Sequence, residues 1–201
     1  MTSKRFLIMV AAACGLLLVV AGVAGAFFRG GTPPSRPPDS GSPSGRRVTV
    51  AHFASAEGRP DRQVVVERTP DGYVCLWDSP DENTQHALGG CNDAGDPLGG
   101  HKLFASMTYD GGPDLATVRD PRLSGLTAAD VDHVVLAMSD GSTRLVRLSR
   151  TSTRAVAGAD YGSFAYRIHE ADVRKGVTPV AVLAVDAAGH ELDRQTTGIG
   201  N

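Results

Sequence analysis

Aromatic side chains are scarce in this chain, at 5% of 201 residues, and Trp77 is its single tryptophan. That is too few for a broad platform on which sugar rings stack. Beyond Val48 there is no Gly-x-Ser-x-Gly, no His-Glu-x-x-His and no Ser-x-x-Lys. The common local signatures of serine and zinc hydrolases are therefore missing. No amphipathic stretch of helical period is long enough to cross over between parallel strands, which excludes an α/β sheet. Basic charge is also thin where it matters. Six of the 20 basic residues but one of the 22 acidic residues lie at or before Arg47, leaving 14 against 21 and a formal charge of −7 on residues 48–201. Such a domain is a poor ligand for nucleic acid, which is bound through clustered lysine and arginine.

What is present first is a long apolar run, Phe6 to Phe28, preceded by Lys4 and Arg5. A helix of about 20 apolar residues spans a bilayer, and flanking basic residues favour the cytoplasmic side. The expectation is a single-pass membrane protein with residues 1–5 in the cytoplasm, a transmembrane helix or signal segment over 6–28 and an extracytoplasmic C-terminal domain. The alternative is a secreted protein, because Ala24-Gly25-Ala26 fits a signal-peptide cleavage site. Cys14 lies in mid-run with Ala11 where a lipoprotein signal usually has leucine, and reads as a cysteine within the helix. Residues 29–47 hold a Pro/Gly/Ser-rich stretch without core-forming side chains, a flexible linker.

Residues 48–201 read as the exported β-rich domain. Short alternating runs bounded by turn residues recur along it: Val48–Phe53, Gln63–Arg68, Tyr73–Trp77, His101–Tyr109, Val134–Met138, Arg144–Leu148, Phe164–Ile168, Val180–Val185 and His190–Gln195. Asp140-Gly141 between two such runs is a strong hairpin signal. The pattern predicts an all-β, immunoglobulin-like antiparallel sandwich, with room for two small β subdomains meeting near residue 115. Cys75 and Cys91 form an even pair in an oxidising compartment and are expected to make a disulfide around the polar segment Leu76–Gly90.

The block Val131–Ser149 followed by Phe164–Gln195 resembles uncharacterised exported, membrane-tethered β-sandwich proteins of high-GC Gram-positive (actinobacterial) bacteria. The shared features are a valine-rich strand, an Asp-Gly turn, a return strand, Phe164-Ala165-Tyr166 and a strand closing in Asp186-Ala187-Ala188-Gly189-His190. The resemblance implies fold and compartment and transfers no catalytic residue.

Residues with chemistry gather between 75 and 101. Trp77 and Asp78 enter the polar segment; His86, Asp93, Asp96 and His101 follow. As a binding surface, Trp77, Asp78, His86, Asp93, Asp96 and His101 would meet an envelope protein or a cell-wall component. No metal or cofactor is expected: the cysteine and histidine spacing matches no zinc knuckle, and Asp93-x-Gly95-Asp96 lacks the glutamate that closes a calcium loop. The reading is a non-catalytic, extracytoplasmic binding or assembly module tethered to the membrane. The alternative is an exported hydrolase or metal-dependent enzyme using the 75–101 region.

Overall fold

Eleven strands in three antiparallel sheets make up the domain, which a computed structural model describes over residues 46–197, except 57, 82, 83, 85, 86 and 112–116. The first sheet is a meander, β1 (Arg46–His52), β2 (Gln63–Arg68), β3 (Tyr73–Ser79) and β4 (Leu88–Asp93), each paired with the next. The second joins β5 (Leu103–Asp110) and β6 (Arg119–Thr127) to β9 (Gly162–Arg167) in the order β5-β6-β9. The third runs β11 (Glu191–Thr196), β10 (Pro179–Val185), β7 (His133–Met138), β8 (Thr143–Arg147). Two single turns of helix, α1 (Arg154–Ala157) and α2 (Glu170–Arg174), flank β9 in sequence.

Hydrophobic burial orders these sheets into layers. Leu103, Ala105, Leu123 and Phe164 of the second sheet share a core with Val134, Leu136, Val146, Val182 and Ala184 of the third. Leu126, Phe104 and Ala165 of the second sheet pack with Val50, Val64, Val66, Val74 and Leu76 of the first. The second sheet is therefore the middle layer and is covered on both faces. β6 is its central strand, and every residue of it after Arg119 is buried.

This corrects the expected immunoglobulin-like sandwich. The fold is all-β, antiparallel and sandwich-like, but it has three sheets, and the first is a sequential meander rather than part of a two-sheet Greek key. Two strands also lie where the sequence pattern showed none. β4 occupies residues expected to be polar loop, and β6 lies in a stretch with no alternation. Arg46 and Arg47, expected in the linker, begin β1.

The single-pass membrane protein is corrected as well. Among the described residues no helix is long and apolar enough to cross a membrane. The two helices have four and five residues, against about 20 needed for a bilayer. Residues 6–28 lie outside the described residues. Among the described residues nothing supports the expected transmembrane helix, the membrane as a partner reached through it or the single-pass location.

Side chains close the layers where backbone pairing stops. Gln195 on β11 accepts from the Ala105 N–H and donates to its carbonyl, both at 2.8 Å, so one amide side chain caps the edge of β5. Asp193 accepts from the Lys102 N–H at 2.7 Å. Unpaired edge groups are thereby satisfied in the way a further strand would satisfy them. In the β7–β8 hairpin Gly141 takes φ 82°, as its turn demands.

One glycine is fixed by packing rather than by dihedral angle. A Cβ on Gly125 of β6 would strike the Phe164 ring and sit 2.6 Å from the Phe104 carbonyl oxygen. Gly125→Ala is expected to cost about 2 kcal/mol, the usual range for overpacking. Chemical denaturation measures this, and an unchanged midpoint would show that the middle layer yields to the added methyl.

Candidate functional site

The apolar contact between the first and middle sheets gives way at one end to charge. Asp78, the sixth residue of β3, points inward from the first sheet and is fully buried. Period 2 explains this: Val74, Leu76 and Asp78 share a face, and the first two are core residues. From β6, the buried Arg122 donates through Nε to Asp78 Oδ2 at 2.5 Å. Arg62, at the end of the β1–β2 connection, donates through Nε to Asp78 Oδ1 at 2.5 Å. Thr108 of β5 donates its hydroxyl to Oδ2 as well. Each carboxylate oxygen is thus held by an arginine.

Arg122 is the hub. It also donates through Nη1 to the Asp120 carbonyl at 2.6 Å and to the Asp120 carboxylate, and Nη2 lies 3.3 Å from Asp110. Burial alone would lower its affinity for the proton, but the hydrogen bond to Asp78 and the charges of Asp78, Asp120 and Asp110 outweigh it and hold its pKa above the ordinary guanidinium value. A buried ion is tolerated when its partners and hydrogen bonds replace water.

Asp120 has the unusual backbone. Its φ of 44° places a non-glycine residue in the left-handed region. The cause is a bulge: the β5–β6 register shifts between Thr108 and Asp110 where Arg119, Asp120 and Pro121 pass. A bulge is also where a strand accommodates proline. The bulge turns the Asp120 carboxylate towards Arg167 of β9, whose Nε lies 3.0 Å from Oδ1. Arg167 donates through Nη2 to the Pro60 carbonyl at 3.0 Å. Glu170, opening α2, accepts from the Asp120 N–H at 3.1 Å and pairs with Arg59 of the β1–β2 connection.

These groups floor and wall a cleft of about 380 Å³ bounded by the β1–β2 connection at Ala54–Ala56, by Arg59, and by the end of β9 with His169 and Glu170. Two features single it out among the described residues. Asp120 Oδ1 and Arg167 Nε and Nη1 are buried without a hydrogen-bond partner, although most such atoms in folded proteins have one. The Asp120–Arg167 contact is close enough for a hydrogen bond but misaligned for one.

The residues proposed from sequence are scattered. Only Asp78 belongs to this network. Trp77, on the opposite face of β3, is half-buried and donates its indole N–H to Glu67 at 2.9 Å. Asp93 ends β4 and accepts from the Gly95 N–H at 2.7 Å, an ordinary turn bond. Asp96 lies in the same turn, its N–H bonded to the Asp93 carbonyl. His101 is largely exposed, 3.5 Å from Asp193. His86 lies outside the described residues. Among the described residues no three His, Cys, Asp or Glu side chains converge as a metal site would require. Cys75 and Cys91 are joined in a disulfide and face each other across the β3–β4 ladder.

Sequence reasoning missed Arg122, Asp120, Arg167, Arg59 and Glu170. Asp120-Pro121-Arg122 carried the available signal, a proline between opposite charges, but on its own it reads as a loop. Comparison with family models, curated proteins and solved structures finds no match for this chain.

Proposed function

We propose that this chain is a non-catalytic binding or assembly module of an oxidising, extracytoplasmic compartment, and that it meets its partner at the Asp120–Arg167 cleft. The Cys75–Cys91 disulfide supports the compartment, since such bonds persist outside the reducing cytosol. The observation that carries the function is the engagement of the charged groups. Asp78 is saturated by Arg62, Arg122 and Thr108. Ser55, the serine of the cleft, donates to Asp61 at 3.2 Å rather than to an imidazole. The serine's partner is a solvent-exposed carboxylate, a weak base for activating a hydroxyl, and the cleft offers a shaped, charged recess. Recesses with a few convergent polar groups are where proteins bind ligands.

The enzymatic alternative has one observation in its favour. Asp78, from the 75–101 region, is a buried carboxylate in the network behind a cleft, a setting in which acid catalysts occur. It is wholly buried between two arginines and does not line the cleft, so a substrate there does not reach it.

A photo-crosslinking residue at Ser55, with a second at the exposed Leu145 of β8 as control, tests the proposal in the native envelope. The expected result is a reproducible crosslinked envelope component from position 55 and not from 145. No reproducible neighbour at 55, together with turnover of a wall substrate by the purified protein, would replace the binding module with the enzyme.

A further inference from the structure

We propose that the cleft binds a neutral, vicinally hydroxylated ligand, a saccharide, through Asp120 and Arg167; this names a ligand class for the binding module above and rests on that reading. Arg167 is 8% exposed and Asp120 1%. Each keeps hydrogen-bonding capacity that the described protein does not use: Asp120 Oδ1 lacks a donor and Arg167 Nη1 lacks an acceptor. Leaving such atoms unsatisfied costs free energy. The φ of Asp120 adds strain, which the surrounding fold must over-determine. A ligand that completes both groups must offer a donor and an acceptor side by side, because Oδ1 lies 3.0 Å from Nε of the same guanidinium.

Charge selects among such ligands. At the cleft the half-buried Arg59 and the buried Arg167 are balanced by Asp120 and Glu170, and behind it Arg62 and Arg122 are balanced by Asp78 and Asp110. Arg174, 3.9 Å from Glu170, is 73% exposed and its charge is screened by solvent. An anion would sit against Asp120 and Glu170, and a cation against two arginines. A neutral ligand leaves the balance intact. Hydroxyl groups both donate and accept, so adjacent hydroxyls on one ring serve Asp120 Oδ1 and Arg167 Nη1 together. With few aromatics in the chain, recognition here rests on hydrogen bonds rather than stacking. The Arg59–Glu170 pair lies at the same cleft with side chains 31% and 26% exposed. Because Asp120 Oδ1 and Arg167 Nη1 are closed to solvent in the unliganded protein, binding requires Arg59 and the β1–β2 connection to move outward.

The test titrates the full-length chain calorimetrically with chitotetraose, maltotetraose and mannotetraose, and with capped tetra-alanine and inorganic phosphate as competitors in kind. At least one tetrasaccharide is expected to bind saturably, with an affinity little changed between low and high salt. Asp120→Asn, which keeps a residue tolerant of positive φ, and Arg167→Lys, which keeps charge without the planar fork, are each expected to weaken it tenfold or more. Ala54→Trp places bulk in the cleft from an exposed position outside the ionic network and is expected to abolish binding in a folded protein. Absence of binding by all three glycans, or binding indifferent to Ala54→Trp, overturns the proposal. Titration by tetra-alanine or phosphate alone overturns the saccharide while the binding module stands. If nothing titrates and position 55 also captures no neighbour, both readings fall.

Discussion

Arg122→Met is expected to lower the free energy of unfolding by about 3–5 kcal/mol, the usual cost of removing one partner from a buried ion pair. Methionine fills much of the same volume, so the loss is electrostatic rather than a cavity effect. The substitution strips Asp78 Oδ2 of its guanidinium and leaves Asp120 facing only Arg167. Both carboxylates are almost wholly buried in the unliganded protein. A total stability of about 5–15 kcal/mol is ordinary for a domain, so the variant is expected to be marginal or unfolded at physiological temperature. Equilibrium urea unfolding gives the value, and a loss below about 1 kcal/mol would mean that water reaches these carboxylates. Adding Asp78→Leu is expected to restore part of the loss, because one uncompensated charge is removed while Arg62 is left without its carboxylate.

The second large effect concerns the first sheet. The double variant Cys75→Ser, Cys91→Ser is expected to cost about 3 kcal/mol, the chain-entropy value for a loop of about 15 residues. The two cysteines are 16 positions apart. What the bond secures is β4, an edge strand that carries Gly89 and Gly90 and pairs only with β3. Glycine contributes no side chain to a ladder and loses much backbone entropy on folding. Substitution with alanine is barred at Gly89, where a Cβ would collide with the Leu76 carbonyl. Amides of β4 are therefore expected to exchange with solvent before those of β2 and β3 once the disulfide is reduced. If reductant shifts neither the unfolding midpoint nor the exchange of β4, the clamp contributes nothing to the fold.

Strand class, hairpin turns and the disulfide partners were all legible in the amino-acid order. Val134, Leu136 and Met138 alternate with half-buried neighbours because β7 lies in an outer sheet with one covered face. Asp140-Gly141 turns the chain because its backbone allows φ above zero. Cysteine parity pointed to Cys75 and Cys91. All of these depend on neighbours within a few residues or on simple counting.

The tertiary structure decided the middle layer and the site. β6 shows no alternation because both of its faces are buried, and a period of two records one-sided burial only. Its Asp120, Pro121, Arg122, Ser124 and Gly125 look like loop residues until the bulge, the Asp78 carboxylate and the Phe164 ring are in place around them. In sequence Asp78 reads as a surface residue beside Trp77, since nothing nearby compensates its charge. Its partner Arg122 is 44 positions away. A charge can be buried only where a long-range pairing supplies its counter-ion, and that pairing exists only once the three sheets have stacked.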